Sequence, residues 1–318
     1  MTDNNLIFIA SQPRSGSTLL QALLSNNELV GTVSEPWLLL PFLSYNRKDL
    51  IDAKYQQQLA IKGISEFLDK TNHNSFKTDM ADFILKQYHK IIKNNEKYVL
   101  DKTPRYYEIL DEILEYFPNS KIIILKRHPL SVLKSIIKTW RVRDIDKLLD
   151  FKRDVLNAPF IIHNFQKKNK DNPNVYCLRY EDLVKDPSIH LKSIYNWVGL
   201  DYNENILDYS ENKKFLGRLG DPTGIKTHSE PNKGSIENWD YLLQDKYWSE
   251  FLKGYLNYLK PNFLREYGEY ELPILKIKDT FLFDVFLQKS EWNFLEHEPP
   301  KIKLIKYSIL RHLGKFRK

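Results

Sequence analysis

Through its first 200 residues the chain repeats one pattern: a short apolar run, a polar turn, then apolar residues recurring every three or four positions. The runs at 6–10 (LIFIA), 98–100 (YVL), 121–126 (KIIILK) and 174–180 (NVYCLRY) are too uniformly apolar for strands with one wet face. They read as strands of a parallel sheet buried on both sides. Helical spacing follows each of them, over 17–27, 105–117, 129–140 and 187–200. Strand–helix alternation predicts an α/β fold, a doubly wound parallel sheet flanked by helices. Residues 38–95 read mainly as helix, and 201–240 as a polar, turn-rich stretch too long for a plain connector. A helix over 241–260 stops at Pro261, and an aromatic, Pro-containing tail follows.

The end of that tail, 301–318, sets Ile302, Ile305, Ile309, Leu313 and Phe316 on one helical face amid seven Lys and Arg residues. A basic amphipathic helix of this kind either docks on the protein's own body or lies on an anionic membrane. We therefore expect one domain over 1–270 and a helical C-terminal extension over 271–318.

Composition narrows the picture. A chain of 318 residues with 42% hydrophobic content can bury a sizeable core. Its 48 Lys and Arg against 41 Asp and Glu give +7, a balance that favours anionic ligands or an acidic membrane face. The single cysteine, Cys177, leaves no internal disulfide and reads as core filler. The N-terminus carries neither the basic region nor the apolar length of a signal peptide, and no run is long enough to span a membrane. The expectation is a cytoplasmic protein, possible contact with a membrane through 301–318 aside, and nucleic acid is not an expected partner.

Chemistry enters at the turn after the first strand, PRSGST (13–18). Ser15, Gly16, Ser17 and Thr18 open a helix whose free N–H groups, at the positive end of its dipole, make an anion site. The lysine of a nucleotide-hydrolysing phosphate loop is missing, and Arg14 supplies a charge instead. An ordinary helix start with a solvated arginine reads equally from this turn alone. The third strand adds a second cationic corner: IIIL runs into Lys126, Arg127 and His128, where a nucleotide hydrolase wants an acid for magnesium. Arg127 and Ser135, eight residues on, can meet a second phosphate. Two cationic corners without a metal cage point to a nucleotide with separated phosphates held by side chains.

These loops resemble those of sulfotransferases that use 3′-phosphoadenosine 5′-phosphosulfate (PAPS). PRSGST is similar to that family's 5′-phosphosulfate loop and RHPLSVLKS (127–135) to its 3′-phosphate segment. RYEDLVKDP (179–187) resembles a segment whose Tyr contacts the nucleotide, and NKGSIENW (232–239) the late loop that closes over it, with Asn232 where an Arg often stands. The resemblance covers about residues 5–240 and implies a P-loop-like fold. It implies that Arg14, Ser15, Gly16, Ser17 and Thr18 hold the 5′-phosphosulfate. Arg127 and Ser135 would hold the 3′-phosphate, helped by Lys233 and Gly234, with Tyr180 near the adenosine.

The small-molecule branch of that family uses a Lys-Thr-His stretch, and here LDKTPRYY keeps Lys102 and Thr103 but has Pro104 in place of the histidine. Protein-tyrosine sulfotransferases look similar at GTVSEPW, where Glu35 follows Arg14 by 21 residues. That likeness implies Glu35 as general base with Lys102 assisting, His228 being the rival base. Leu19 stands where small-molecule enzymes often carry Trp, which leans toward the glycan and polypeptide branch. Trp37, Phe42 and Tyr45 either stack on sugar faces or pack in the core. The reading is metal-independent, in-line transfer of sulfate from PAPS to an acceptor hydroxyl, with a glycan or glycolipid as first acceptor class. A P-loop kinase and a non-catalytic nucleotide-binding module are the alternatives.

Overall fold

The structure, a computed structural model of the chain, is described for residues 1–93, 95–212, 214–215, 217, 219, 230–231, 239–270 and 279–291. Five parallel strands form one sheet in the order β2-β3-β1-β4-β5. They are β1 (Leu6–Ser11), β2 (Val30–Thr32), β3 (Tyr98–Lys102), β4 (Lys121–Lys126) and β5 (Val175–Arg179). Helices flank the sheet, so the α/β expectation holds.

Period-two alternation sorts the central strand between two cores. Ile7 and Ile9 of β1 pack with Leu20, Leu23 and Leu24 of helix α1 (Ser17–Ser25). Leu6, Phe8 and Ala10 face the opposite core with Tyr106 and Phe117. Full burial of each such aliphatic side chain contributes about 1.5–3 kcal/mol, which fixes the register of the sheet centre. A third core joins helix α2 (Pro129–Thr139) to the helices Lys246–Leu259 and Phe281–Ser290. Phe251 packs there on Phe283 and Phe286 at ring distances of 5.2 and 5.3 Å.

Three features depart from the sequence reading. Strand β2 was not foreseen. The helix expected over 105–117 divides into a 3-10 segment, Pro104–Ile109, and an α-helix, Leu110–Tyr116. The helix expected to stop at Pro261 does end there, at Leu259, but Pro261 also opens a further helix, Pro261–Gly268, at a first-turn position where its missing N–H costs nothing. The basic stretch 301–318, Lys233, Gly234 and His228 all lie outside the described residues. Among the described residues, no helix is long and apolar enough to cross a membrane.

Because the strands are parallel, all five carboxyl ends open on one edge. The chain moves from β1 to β2 and β3 on one side, then crosses to β4 and β5 on the other. That reversal leaves a crevice beyond the strand ends, the usual ligand position in open α/β sheets.

Candidate active site

Each strand delivers one of the foreseen residues to this edge. After β1, the Ser15 N–H donates to the Gln12 carbonyl at 3.2 Å and closes the turn into α1. Arg14 (φ 72°) and Gly16 (φ 89°) both take left-handed backbone. Glycine is required at 16 for a second reason: a Cβ there would lie 2.3 Å from the Tyr180 ring. No side chain caps the start of α1, so its first N–H groups stay available. The Ser15 Oγ is buried with no hydrogen-bond partner among the described residues. Such an orphan costs about 1–3 kcal/mol, a cost that a ligand oxygen would remove.

The loops after β4 and β5 close on the same point. The Arg127 Nη1 donates to the Arg14 carbonyl at 3.0 Å, and its guanidinium lies 4.3 Å from the Tyr180 ring centroid. Tyr180 opens the helix Tyr180–Lys185 and does not end a strand. The Arg14 Nε donates to the Ser135 Oγ at 3.2 Å, so both cationic corners belong to one cluster. Burial is the leading cause that lowers the Arg127 pKa, and the neighbouring Arg14 adds to it. Burial and the charges of Lys138 and Arg127 likewise lower Lys134. An anion between these groups would relieve that crowding.

Ser131, in the first turn of α2, is a residue the sequence reading left without a role. Its Oγ is buried with no hydrogen-bond partner among the described residues. It stands one turn before Ser135 on α2. Lys126 behaves oppositely: its Nζ reaches the Gln166 Oε1 at 2.7 Å and the Tyr267 carbonyl. Strand alternation turns it away from Arg127. His128 is a structural cap, its Nδ1 accepting from the Leu130 N–H at 3.1 Å and its ring lying against Trp239 and Tyr270.

On the other side of β1, the Lys102 Nζ at the end of β3 donates to the Glu35 Oε1 at 2.6 Å. Lys102 is 1% exposed and Glu35 is 13% exposed, so this ion pair is largely shielded from water. The indole Nε1 of Trp37 donates to the second oxygen, Glu35 Oε2, at 3.3 Å. Arg105, held by the buried Asp154 carboxylate at 2.6 Å, covers the Trp37 ring at 5.5 Å. Asp101 accepts hydrogen bonds from Tyr88, Tyr106 and Thr103.

Two aromatic residues foreseen for the acceptor wall are taken up by packing. Phe42 lies edge-on to Phe83 at 5.4 Å and Tyr45 to Phe76 at 5.7 Å. Trp37 alone of the three contacts Glu35. Two residues of the long polar stretch, Leu219 and Trp239, meet neighbours of Glu35 and Arg127. The Ser34 Oγ donates to the Leu219 carbonyl, the Trp239 ring lies tilted 4.3 Å from His128, and within the stretch the Tyr209 hydroxyl donates to the Glu230 carbonyl at 3.2 Å. Among the described residues, no three His, Cys, Asp or Glu side chains gather as a metal site.

Known proteins resemble the chain in sequence and in fold. Residues 6–204 match the profile described as the sulfotransferase family. The nodulation protein NoeE of Sinorhizobium fredii is 24% identical over 260 residues, covering 74% of this chain and 59% of that protein. Protein-tyrosine sulfotransferase 2 of Gallus gallus is 25% identical over 226 residues, covering 69% of this chain and 56% of that protein. The chain therefore spans under three fifths of the length of either relative. Among solved structures, the sulfotransferase domain of the Synechococcus PCC 7002 olefin synthase has the same fold, with a TM-score of 0.57 at 22% identity over 86% of this chain and 98% of that one. The sulfotransferase domain from the curacin biosynthetic pathway gives 0.55 at 24% identity, covering 84% and 98%.

Proposed function

The chain belongs to the sulfotransferase family, and from that premise we propose that it moves the sulfuryl group of PAPS to an acceptor hydroxyl without a metal. The observation that carries the reading is the Lys102–Glu35 pair, 2.6 Å apart at the same sheet edge as the Arg14–Arg127 corner. A base and a cation side by side are what in-line transfer needs. Glu35 takes the acceptor proton as the acceptor oxygen bonds to sulfur. The bond between sulfur and the bridging oxygen breaks, and its electron pair stays on the 5′-phosphate. Lys102 and the N–H groups of α1 stabilise that charge, and adenosine 3′,5′-bisphosphate leaves.

The donor fits the residues present. The orphaned Ser15 hydroxyl and the Gly16 cradle, with Arg14, Ser17 and Thr18, would hold the 5′-phosphosulfate. Arg127 and Ser135, with the orphaned Ser131 hydroxyl, would hold the 3′-phosphate, and Tyr180 would flank the adenosine. Lys233 and Gly234, carried over from the resemblance, would close the late loop.

For the acceptor, a carbohydrate hydroxyl is the first reading, supported by the Trp37 indole beside Glu35. A tyrosyl hydroxyl is the second, favoured by the similarity to a protein-tyrosine sulfotransferase. Radiolabelled PAPS incubated with separate glycan, glycolipid and tyrosyl-peptide panels tests both. Label on a sugar supports the first, and label on tyrosine alone overturns it. Thermal stabilisation by adenosine 3′,5′-bisphosphate without metal, against none from ATP with magnesium, tests the donor.

A further inference from the structure

The turn that carries Glu35 hangs from two hydroxyl groups that share one buried carboxylate. Asp101, 1% exposed on β3, accepts from the Tyr88 hydroxyl at 2.6 Å and the Tyr106 hydroxyl at 2.8 Å through Oδ2. Its Oδ1 accepts from the Thr103 Oγ1 at 2.9 Å. A hydroxyl has one proton and two lone pairs. With their protons committed to Asp101, Tyr106 and Thr103 present only lone pairs in other directions. Those lone pairs take two backbone amides of the Glu35 turn. The Leu39 N–H donates to the Tyr106 oxygen at 3.0 Å and the Trp37 N–H to the Thr103 Oγ1 at 3.4 Å.

The local sequence makes these anchors matter. Pro36 has no N–H, so Trp37 offers the first amide after Glu35. Trp37 has φ 54°, a left-handed backbone that an aromatic residue keeps only when its surroundings hold it. From that position its indole grips the Glu35 Oε2 while Lys102 holds the Oε1. The anchored turn thereby orients one carboxylate oxygen and the end of β3 the other.

The geometry points to Asp101 as a positioning residue for Glu35, acting through Thr103 and Tyr106 on the 37–39 backbone. This inference rests on Glu35 being the base of the proposed reaction. Asp101 touches neither donor nor acceptor in this role. It fixes which way two hydroxyls face, and so where the base points. An asparagine at 101 would add two protons to a cluster that already has three donors, and one hydroxyl would have to turn.

The test uses the full chain and four variants: Asp101→Asn, Thr103→Val, Thr103→Ser and Tyr106→Phe. Amide hydrogen exchange is read over peptides spanning 36–40. The rate of adenosine 3′,5′-bisphosphate release from PAPS is read with one fixed mixture of mono- and oligosaccharides and a tyrosyl peptide. Affinity for adenosine 3′,5′-bisphosphate is read by calorimetry. Thr103→Val and Asp101→Asn are expected to speed exchange in the turn and slow release by about 10-fold or more, as lost positioning does, with nucleotide affinity unchanged. Tyr106→Phe should free the Leu39 amide in the same way, and Thr103→Ser should restore both readouts. Unchanged exchange in Thr103→Val overturns the inference, as does a loss of nucleotide binding parallel to the loss of rate. The two levels separate cleanly. Normal turnover by Glu35→Gln overturns the base assignment, whereas unaltered exchange overturns the anchor while Glu35→Gln stays inactive.

Discussion

Lys102 and Glu35 stand 67 positions apart in the chain, yet the Lys102 Nζ lies 2.6 Å from the Glu35 Oε1. Register explains the meeting: β2 and β3 run parallel with Thr32 opposite Leu100, so the last residue of β3 and the residues just past β2 reach the same height. Because Lys102 is 1% exposed, it depends on its partner. Glu35→Ala should cost about 3–5 kcal/mol of stability, as removing one partner of a buried ion pair does. Adding Lys102→Met to that variant should recover part of the loss. Urea unfolding of the wild type, both single variants and the double variant measures the coupling, and additive losses would mean that the pair is not shielded.

Gly16 tolerates no side chain, for two independent reasons, φ 89° and the Tyr180 ring at 2.3 Å from a built Cβ. Gly16→Ala should cost about 1–3 kcal/mol in backbone strain and weaken binding of adenosine 3′,5′-bisphosphate as Tyr180 moves away. Pairing it with Tyr180→Ala should recover stability only in part, because the strained φ remains. Thermal unfolding and calorimetric titration check both statements.

Arg127 should distinguish the two ends of the nucleotide. Arg127→Met removes a charge-assisted contact of about 1.5–3 kcal/mol, roughly 10–150-fold in affinity for adenosine 3′,5′-bisphosphate. Adenosine 5′-monophosphate, which lacks the 3′-phosphate, should lose far less. Equal losses for both ligands would remove Arg127 from the 3′-phosphate corner.

Asp101 gives the protein a pH signature. Burial raises its carboxyl from the ordinary 3.8 to about 6, while the hydrogen bonds from Tyr88, Tyr106 and Thr103 pull the other way. The folded chain thus holds that proton more tightly than the unfolded chain. The associated stability is fully present below pH 3.8 and is lost as pH rises to about 6. Asp101→Asn cannot ionise, so its stability relative to wild type should rise across that window. Unfolding free energies of the two proteins at several pH values test this, and a flat difference contradicts it.

Apolar runs announced β1, β3 and β4 because these strands are buried on both faces, whereas β5, announced by the same signal, is a sheet edge and mostly half-buried. Strand β2 left no such trace. It is three residues, Val30–Thr32, with a glycine at its centre, and its identity comes from pairing with β3. Arg14, Gly16 and Arg127 were legible because a strand-to-helix turn concentrates its signal in a few adjacent residues. The anchor through Asp101, Thr103 and Tyr106 was not legible, since it depends on lone-pair directions and on amides more than 60 residues away in sequence. Lys126 shows the converse. Adjacent to Arg127 in sequence, it is sent elsewhere by the two-residue period of the strand.

In the proposed reaction Glu35 removes the acceptor proton beside a donor gripped by Arg14 and Arg127. Single-turnover transfer from PAPS by Glu35→Gln, with adenosine 3′,5′-bisphosphate affinity measured on the same preparation, tests it most directly. Transfer should fall by about 100-fold or more with affinity within about twofold of wild type. Transfer at the wild-type rate with intact binding would contradict it.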